Sequence, residues 1–129
     1  MKKLSSIIKP KNEILDNLEL AASHLFPAPL PKEIKAYLKQ VPGLKEFRED
    51  YLDATEGLIV RLSRCETFPA MGDLVSKAAL PVKSCLWERF LFLKQFIKSS
   101  PEPVQAVPDS MGKFLREGLS ALWHEYQTT

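Results

Sequence analysis

Hydrophobic residues recur along this chain at spacings of three and four, which is the period of an amphipathic α-helix. Six segments carry the pattern, at about residues 10–25, 31–40, 44–65, 70–79, 81–99 and 108–126. Alternating runs of β-branched residues bounded by turns, which would indicate strands, do not occur in the sequence. The pattern therefore predicts an all-α fold, a helical bundle of five to six helices.

Prolines mark where several of these helices begin. Pro10, Pro31, Pro81 and Pro108 each stand at the start of a periodic segment. Proline is well tolerated there, because the first turn of a helix has N–H groups without intrahelical partners and loses nothing when one is missing. The prolines and the periodicity thus point to the same helix boundaries.

A chain of 129 residues is long enough for one domain with its own core. We expect a single helical domain over 1–129, with a basic arm over 1–9 and a loop over 99–107 before the last helix. Its core is predicted to come from the third, fifth and sixth helices, with the fifth near the centre. A content of 45% hydrophobic and 26% charged residues is typical of a folded protein.

The net charge, the cysteines and the hydropathy indicate which partners and which cellular compartment to expect. The formal net charge of +2 is too small to indicate nucleic-acid binding by itself. Cys65 and Cys85 belong to no metal-binding motif, which favours free thiols in a reducing compartment. No window approaches the roughly 18 apolar residues of a membrane span, and the basic N-terminus is not followed by the apolar run of a signal peptide. We therefore expect a cytoplasmic protein with no membrane partner.

The segment Leu74–Phe96 has two interpretations. A short helix meets a long one at Ala79-Leu80-Pro81, and the surrounding charge is basic, as in a DNA-binding helix-turn-helix. A recognition helix, however, must present a polar face to the major groove. Here apolar residues cover most of the circumference of the second helix, among them Leu86, Trp87, Phe90, Leu91, Leu93 and Ile97. We favour a packed corner at the centre of the fold and keep a helix-turn-helix-like element as the alternative.

Catalytic signatures do not occur in the sequence, which has no glycine-rich phosphate loop and no G-x-S-x-G, H-E-x-x-H or C-x-x-C motif. Glu49, Asp53 and Glu56 fall on one side of the third predicted helix, and such carboxylates suit Mg²⁺ or Mn²⁺. Acids at the start of a helix are also favoured by its dipole, and no second acidic helix completes the ligand set. A metal-dependent hydrolase is therefore only the third hypothesis. We expect a protein that is not an enzyme and has no cofactor or metal.

The leading functional hypothesis is a non-enzymatic protein-interaction module, a small subunit or adaptor of a larger assembly, whose partner is another protein or a second copy of the chain. Large aromatic and aliphatic residues dominate interface energetics, so the predicted contact residues are Trp87, Leu91, Trp123 and Tyr126. The alternative is nucleic-acid binding through the 74–96 corner or through lysine stripes. The residues that would carry it are Lys32, Lys35, Lys39, Lys83, Ser84 and Arg89.

Overall fold

The computed structural model describes residues 11–99 and 115–116, and within them the chain forms helices and short connections only. The helices are α1 (Lys11–Leu25), α2 (Leu30–Gln40), α3 (Leu44–Asp50), α4 (Leu52–Leu62), α5 (Phe68–Ser76) and α6 (Leu80–Ser99). Since the described residues contain no strand, the predicted all-α fold is confirmed. The predicted arm over 1–9, residues 100–107 of the predicted loop and most of the predicted last helix lie outside the described residues.

Local chemistry explains where the helices begin. Proline stands in the first turn of α2 and of α5, at Pro31 and Pro69. The Thr67 hydroxyl accepts a hydrogen bond from the Ala70 backbone N–H at 3.2 Å and so caps α5. This cap places the start of α5 slightly earlier than the periodicity alone predicted.

The prediction of one continuous helix over 44–65 is wrong. Tyr51, with φ −108° and ψ 15°, separates α3 from α4. The Thr55 hydroxyl donates to the Tyr51 carbonyl oxygen at 2.7 Å, and threonines that bond back to the preceding turn commonly bend a helix. On the α3 side, the Phe47 ring packs between Tyr37 and Tyr51, with ring centroids 5.9 and 5.2 Å away. Phe47 of α3 thus contacts both Tyr37 of α2 and the residue at which α3 ends.

α6 lies at the centre of the described fold, as its apolar circumference predicted, since it packs against α1, α2 and α4. The core was predicted to come from the third, fifth and sixth helices, and α1 contributes to it as well. Ile14, Leu18, Ala21 and Leu25 of α1 are all buried, and α1 packs against both α5 and α6. These residues recur at spacings of three and four and so form one apolar face, which is the pattern of a helix that packs against a core. Leu115 is also buried in this core.

The 74–96 segment forms a packed corner. α5 lies against α1 and α4, while α6 lies against α1, α2 and α4. Most apolar side chains of the two helices are therefore buried or half-buried, whereas Leu91 and Phe96 of α6 are exposed. None of the described helices combines the length and apolarity needed to cross a bilayer. Cys65 and Cys85 are free thiols, as predicted.

Candidate docking groove

A groove lies between α1, the start of α2 and α6. Its volume is about 250 Å³. Cavities that enclose drug-sized ligands measure about 300–1,000 Å³, so this one fits one or two side chains better than a small molecule. The lining residues are Glu19, Ala22, Ser23, Phe26, Pro31, Trp87, Phe90, Leu91 and Lys94.

The α6 wall of the groove contains two of the predicted contact residues. Trp87, Phe90, Leu91 and Lys94 follow one another at helical spacing and so share one flank of α6. Phe90 is buried, Trp87 is half-buried, and Leu91 is 40% exposed. The groove therefore brings Trp87 and Leu91 together at the surface, one turn apart.

Phe26 forms the floor of the groove. Its ring meets the Trp87 ring at 5.1 Å with an interplanar angle of 81°, and the Phe90 ring at 5.6 Å with an angle of 67°. Edge-to-face contacts of this kind add to the stabilisation from area burial and hold the rings in fixed orientations. Phe26 comes directly after α1, where its backbone N–H donates to the Ala22 carbonyl oxygen at 2.8 Å. The floor is thus an ordered aromatic surface.

Polar groups form the edge of the groove on the α1 side. The Lys94 ammonium lies 2.6 Å from the Glu19 carboxylate. This hydrogen bond, together with the charge of Lys94 and a smaller effect of Lys98, holds the pKa of Glu19 below its usual value. The Ser23 hydroxyl donates to the Leu20 carbonyl oxygen at 2.6 Å. Protein interfaces usually have an apolar centre, which contributes most of the binding energy, and a polar edge around it.

The residues proposed for nucleic-acid binding are only partly accessible. Lys32, Lys35 and Lys39 are exposed on α2, and Lys83 is half-buried on α6. The other two residues lie in the interior. The fully buried Ser84 hydroxyl donates to the Leu80 carbonyl oxygen, whereas Arg89, 3% exposed, donates to the Glu56 carboxylate at 2.6 Å. The nucleic-acid alternative therefore rests on four lysines and stays a prediction.

The three carboxylates considered as metal ligands do not form one site. Glu49 is exposed on α3 and Asp53 is exposed on α4, on opposite sides of the bend at Tyr51. Glu56 points to Arg89 instead. Within the described part of the chain, no group of three or more His, Cys, Asp or Glu side chains is arranged to hold a metal ion.

Sequence reasoning missed most of the groove outside α6. Trp123 and Tyr126 lie outside the described residues, so their predicted role stays a prediction. The sequence does not indicate that Phe26 and Pro31 line a groove. Phe26 follows α1 and Pro31 lies in the first turn of α2, so their place at the groove depends on how α1 and α2 pack. A weak signal exists in α1, where the small residues Ala22 and Ser23 precede Phe26 on one flank and leave room beside it.

No family model, curated protein or solved structure matches this chain. The geometry of the groove is therefore the basis for a functional proposal.

Proposed function

We propose that this protein is a non-enzymatic helical interaction module that binds a protein partner through the groove between α1, α2 and α6. The observation that carries the proposal is the position of Trp87 and Leu91, which lie side by side at the surface over the Phe26 ring. Tryptophan is among the residues most often found at the energetic centre of an interface. Fixed aromatic side chains also lose little conformational entropy when a partner binds.

The exposure of Leu91 supports the proposal. Scattered exposed leucines are normal on a protein surface, so the exposure of Leu91 alone carries little weight. Leu91, however, adjoins Trp87 and a cavity of about 250 Å³ with a polar edge. An apolar side chain of a partner placed there would cover both residues and leave the Glu19–Lys94 pair at the margin.

Selection from a phage-displayed peptide library against the full chain tests the proposal. We expect peptides that bind the wild-type protein and lose at least about tenfold in affinity, or 1.4 kcal/mol, for Leu91→Glu. Leu20→Glu is the matched control, because Leu20 is 48% exposed on α1 but does not line the groove. Both substitutions are at the surface and should change the free energy of unfolding by less than about 0.5 kcal/mol.

The proposal fails if the selection enriches nothing specific, or if the enriched peptides bind Leu91→Glu as well as they bind Leu20→Glu. Light scattering at high protein concentration tests the second copy as a partner. A dimer that Leu91→Glu dissociates and Leu20→Glu does not would identify the chain itself as the protein that occupies the groove.

A further inference from the structure

We infer that the partner segment is an acidic amphipathic helix, which inserts apolar side chains beside Trp87 and Leu91 and places its carboxylates against the lysines that flank the groove. This inference rests on the proposed function above and adds the chemical class of the partner. It is carried by the charges around the groove and by the direction in which the groove runs.

The groove side of α6 is basic along its whole length. Lys83 lies one turn before Trp87, and Lys94 and Lys98 lie one and two turns beyond Leu91, all on the same flank of the helix. The only acid of α6 is Glu88, which accepts two hydrogen bonds from Arg48 of α3 and belongs to another side of the helix. This flank therefore has three lysines and no carboxylate.

The α2 wall of the groove adds one more lysine. Lys35 follows Pro31 by one turn on the same flank of α2 and is exposed. Among the described residues, neither Lys35 nor Lys83 has an acidic side chain within ion-pair distance. Two of the lysines at the groove thus carry charge that no described part of the protein neutralises.

The acids on the α1 side do not cancel this charge. Asp16 and Glu19 are the carboxylates on the groove flank of α1, and Glu19 is already engaged by Lys94 at 2.6 Å. Among the described residues, the flanks of the helices beside the groove therefore have four lysines and two carboxylates, which is an excess of positive charge next to an apolar centre. Complementary charge steers association and selects between partners, so this excess favours an acidic segment.

The direction of the groove favours a helix as the bound segment. The Lys11 ammonium reaches the Lys98 carbonyl oxygen, whereas Phe26 meets Trp87, so α1 and α6 run antiparallel and the groove follows the axis of α6. A helix bound in such a groove presents anchors at spacings of three, four and seven residues. The described residues offer no strand edge for an extended segment to pair with.

Three synthetic helical peptides test the inference by fluorescence anisotropy against the full chain. The first has leucines at positions i, i+4 and i+7 and glutamates on its other faces. The second replaces the glutamates by lysines, and the third replaces the leucines by alanines. We expect the first peptide to bind at least about tenfold more tightly than either of the others, and its affinity to fall as salt screens the charges.

Charge-reversal substitutions in the protein provide a second test of the inference. The double substitution K35E/K83E should weaken binding of the glutamate–leucine peptide by at least about tenfold. The double substitution K45E/K77E is the matched control, since it changes the net charge equally at exposed positions on α3 and just after α5, neither of which lines the groove. We expect it to change the affinity by less than about threefold, because exposed charges farther from the groove are more strongly screened.

Four outcomes would overturn the inference. Equal binding of the glutamate and lysine peptides, both lost in Leu91→Glu, would leave groove docking in place and remove the acidic partner. Equal binding of the alanine peptide would mean that charge alone drives association. If none of the three synthetic peptides binds while library-selected peptides still need Leu91, an acidic amphipathic helix is excluded as the partner and docking in the groove is retained. Tighter binding of a duplex DNA probe that K32E/K39E abolishes would assign the lysines to nucleic acid instead.

Discussion

Gly72 allows α5 to approach α1 closely. A Cβ atom at this position would lie 2.5 Å from the His24 carbonyl oxygen, a backbone atom that cannot move aside without moving α1. Next to this contact the His24 and Phe68 rings stack with their centroids 5.7 Å apart. The position therefore needs glycine for its lack of a side chain.

We predict that Gly72→Ala lowers the free energy of unfolding by about 1–3 kcal/mol, because the added methyl group forces α1 and α5 apart. Gly57→Ala is the control within α4, where a Cβ would meet nothing within 4 Å. It should raise the free energy of unfolding by about 0.5–1 kcal/mol, since alanine loses less entropy than glycine in a helix. Urea denaturation measures both changes. Shifts of the same sign would contradict this account of Gly72.

Some residues of the candidate groove could be predicted from the hydrophobic pattern of a single helix, and others could not. The position of Trp87 and Leu91 on one flank of α6 was predictable, because they fall beside the central apolar stripe of a helix that is apolar nearly all round, and their role in binding stays a prediction. Phe26 and Pro31 were not, because only the packing of α1 and α2 against α6 brings them to the same surface. Ser84 and Arg89 looked like polar surface residues, and their burial depends on hydrogen bonds that span different turns or helices.

Ion pairs connect α6 to the two helices on either side of the bend. Arg89 of α6 lies 2.6 Å from Glu56 of α4, and its side chain is 3% exposed. Arg48 of α3 makes two hydrogen bonds, of 3.0 and 2.9 Å, to the Glu88 carboxylate. Glu56, one of the three carboxylates considered as metal ligands, therefore takes part in packing between helices.

Removal of Glu56 should destabilise the protein, because it takes a carboxylate away from the buried Arg89 guanidinium. Breaking a fully buried pair costs about 3–5 kcal/mol, and since the Glu56 side chain is 30% exposed we expect about 1–3 kcal/mol for Glu56→Ala. The double substitution E56L/R89M should recover most of that loss. Asp73→Ala breaks the exposed Asp73–Lys77 pair and should cost less than about 0.5 kcal/mol. Thermal or urea unfolding that gives equal losses for both alanine variants would count against the role of Arg89.

At the level of elements, the sequence predicted helix starts better than helix breaks. Prolines in the first turn are local signals, so the beginnings of α2 and α6 could be placed closely. The start of α5 was predicted later than it is, because the Thr67 cap was not recognised in the sequence. The break at Tyr51 could not, because the apolar stripe continues through it. It depends on the Thr55 hydrogen bond and on the contact between Phe47 and Tyr37, which belongs to a different helix.

The stability of the whole molecule should fall in alkaline solution because of Cys85. Burial raises the pKa of this thiol to about 11 from 9.0, against a smaller lowering by the hydrogen bond with Thr55. The folded state therefore holds the proton more tightly than the unfolded state. The stabilisation is present in full below pH 9 and is lost as the pH rises toward 11.

Urea unfolding at a series of pH values from 8 to 11 checks this prediction. Cys85→Ala should show a smaller loss of stability across this range than the wild type, although it starts lower because a buried side chain has been shortened. Cys65→Ala should keep most of the wild-type pH dependence, since Cys65 lies in the connection between α4 and α5 and is only partly buried. An identical pH dependence in the wild type and Cys85→Ala would refute the assignment to Cys85.

The floor of the groove belongs to the hydrophobic core, whereas its edge does not. Phe26 and Phe90 are 4% and 1% exposed and support the packing of α1 on α6, while Leu91, Lys35 and Lys83 lie at or near the surface. Substitution of the floor would cost stability whatever the partner, but substitution of the edge would cost little. Residues at the edge can therefore be replaced without loss of the fold, whereas a change in the aromatic floor requires compensating changes elsewhere in the core.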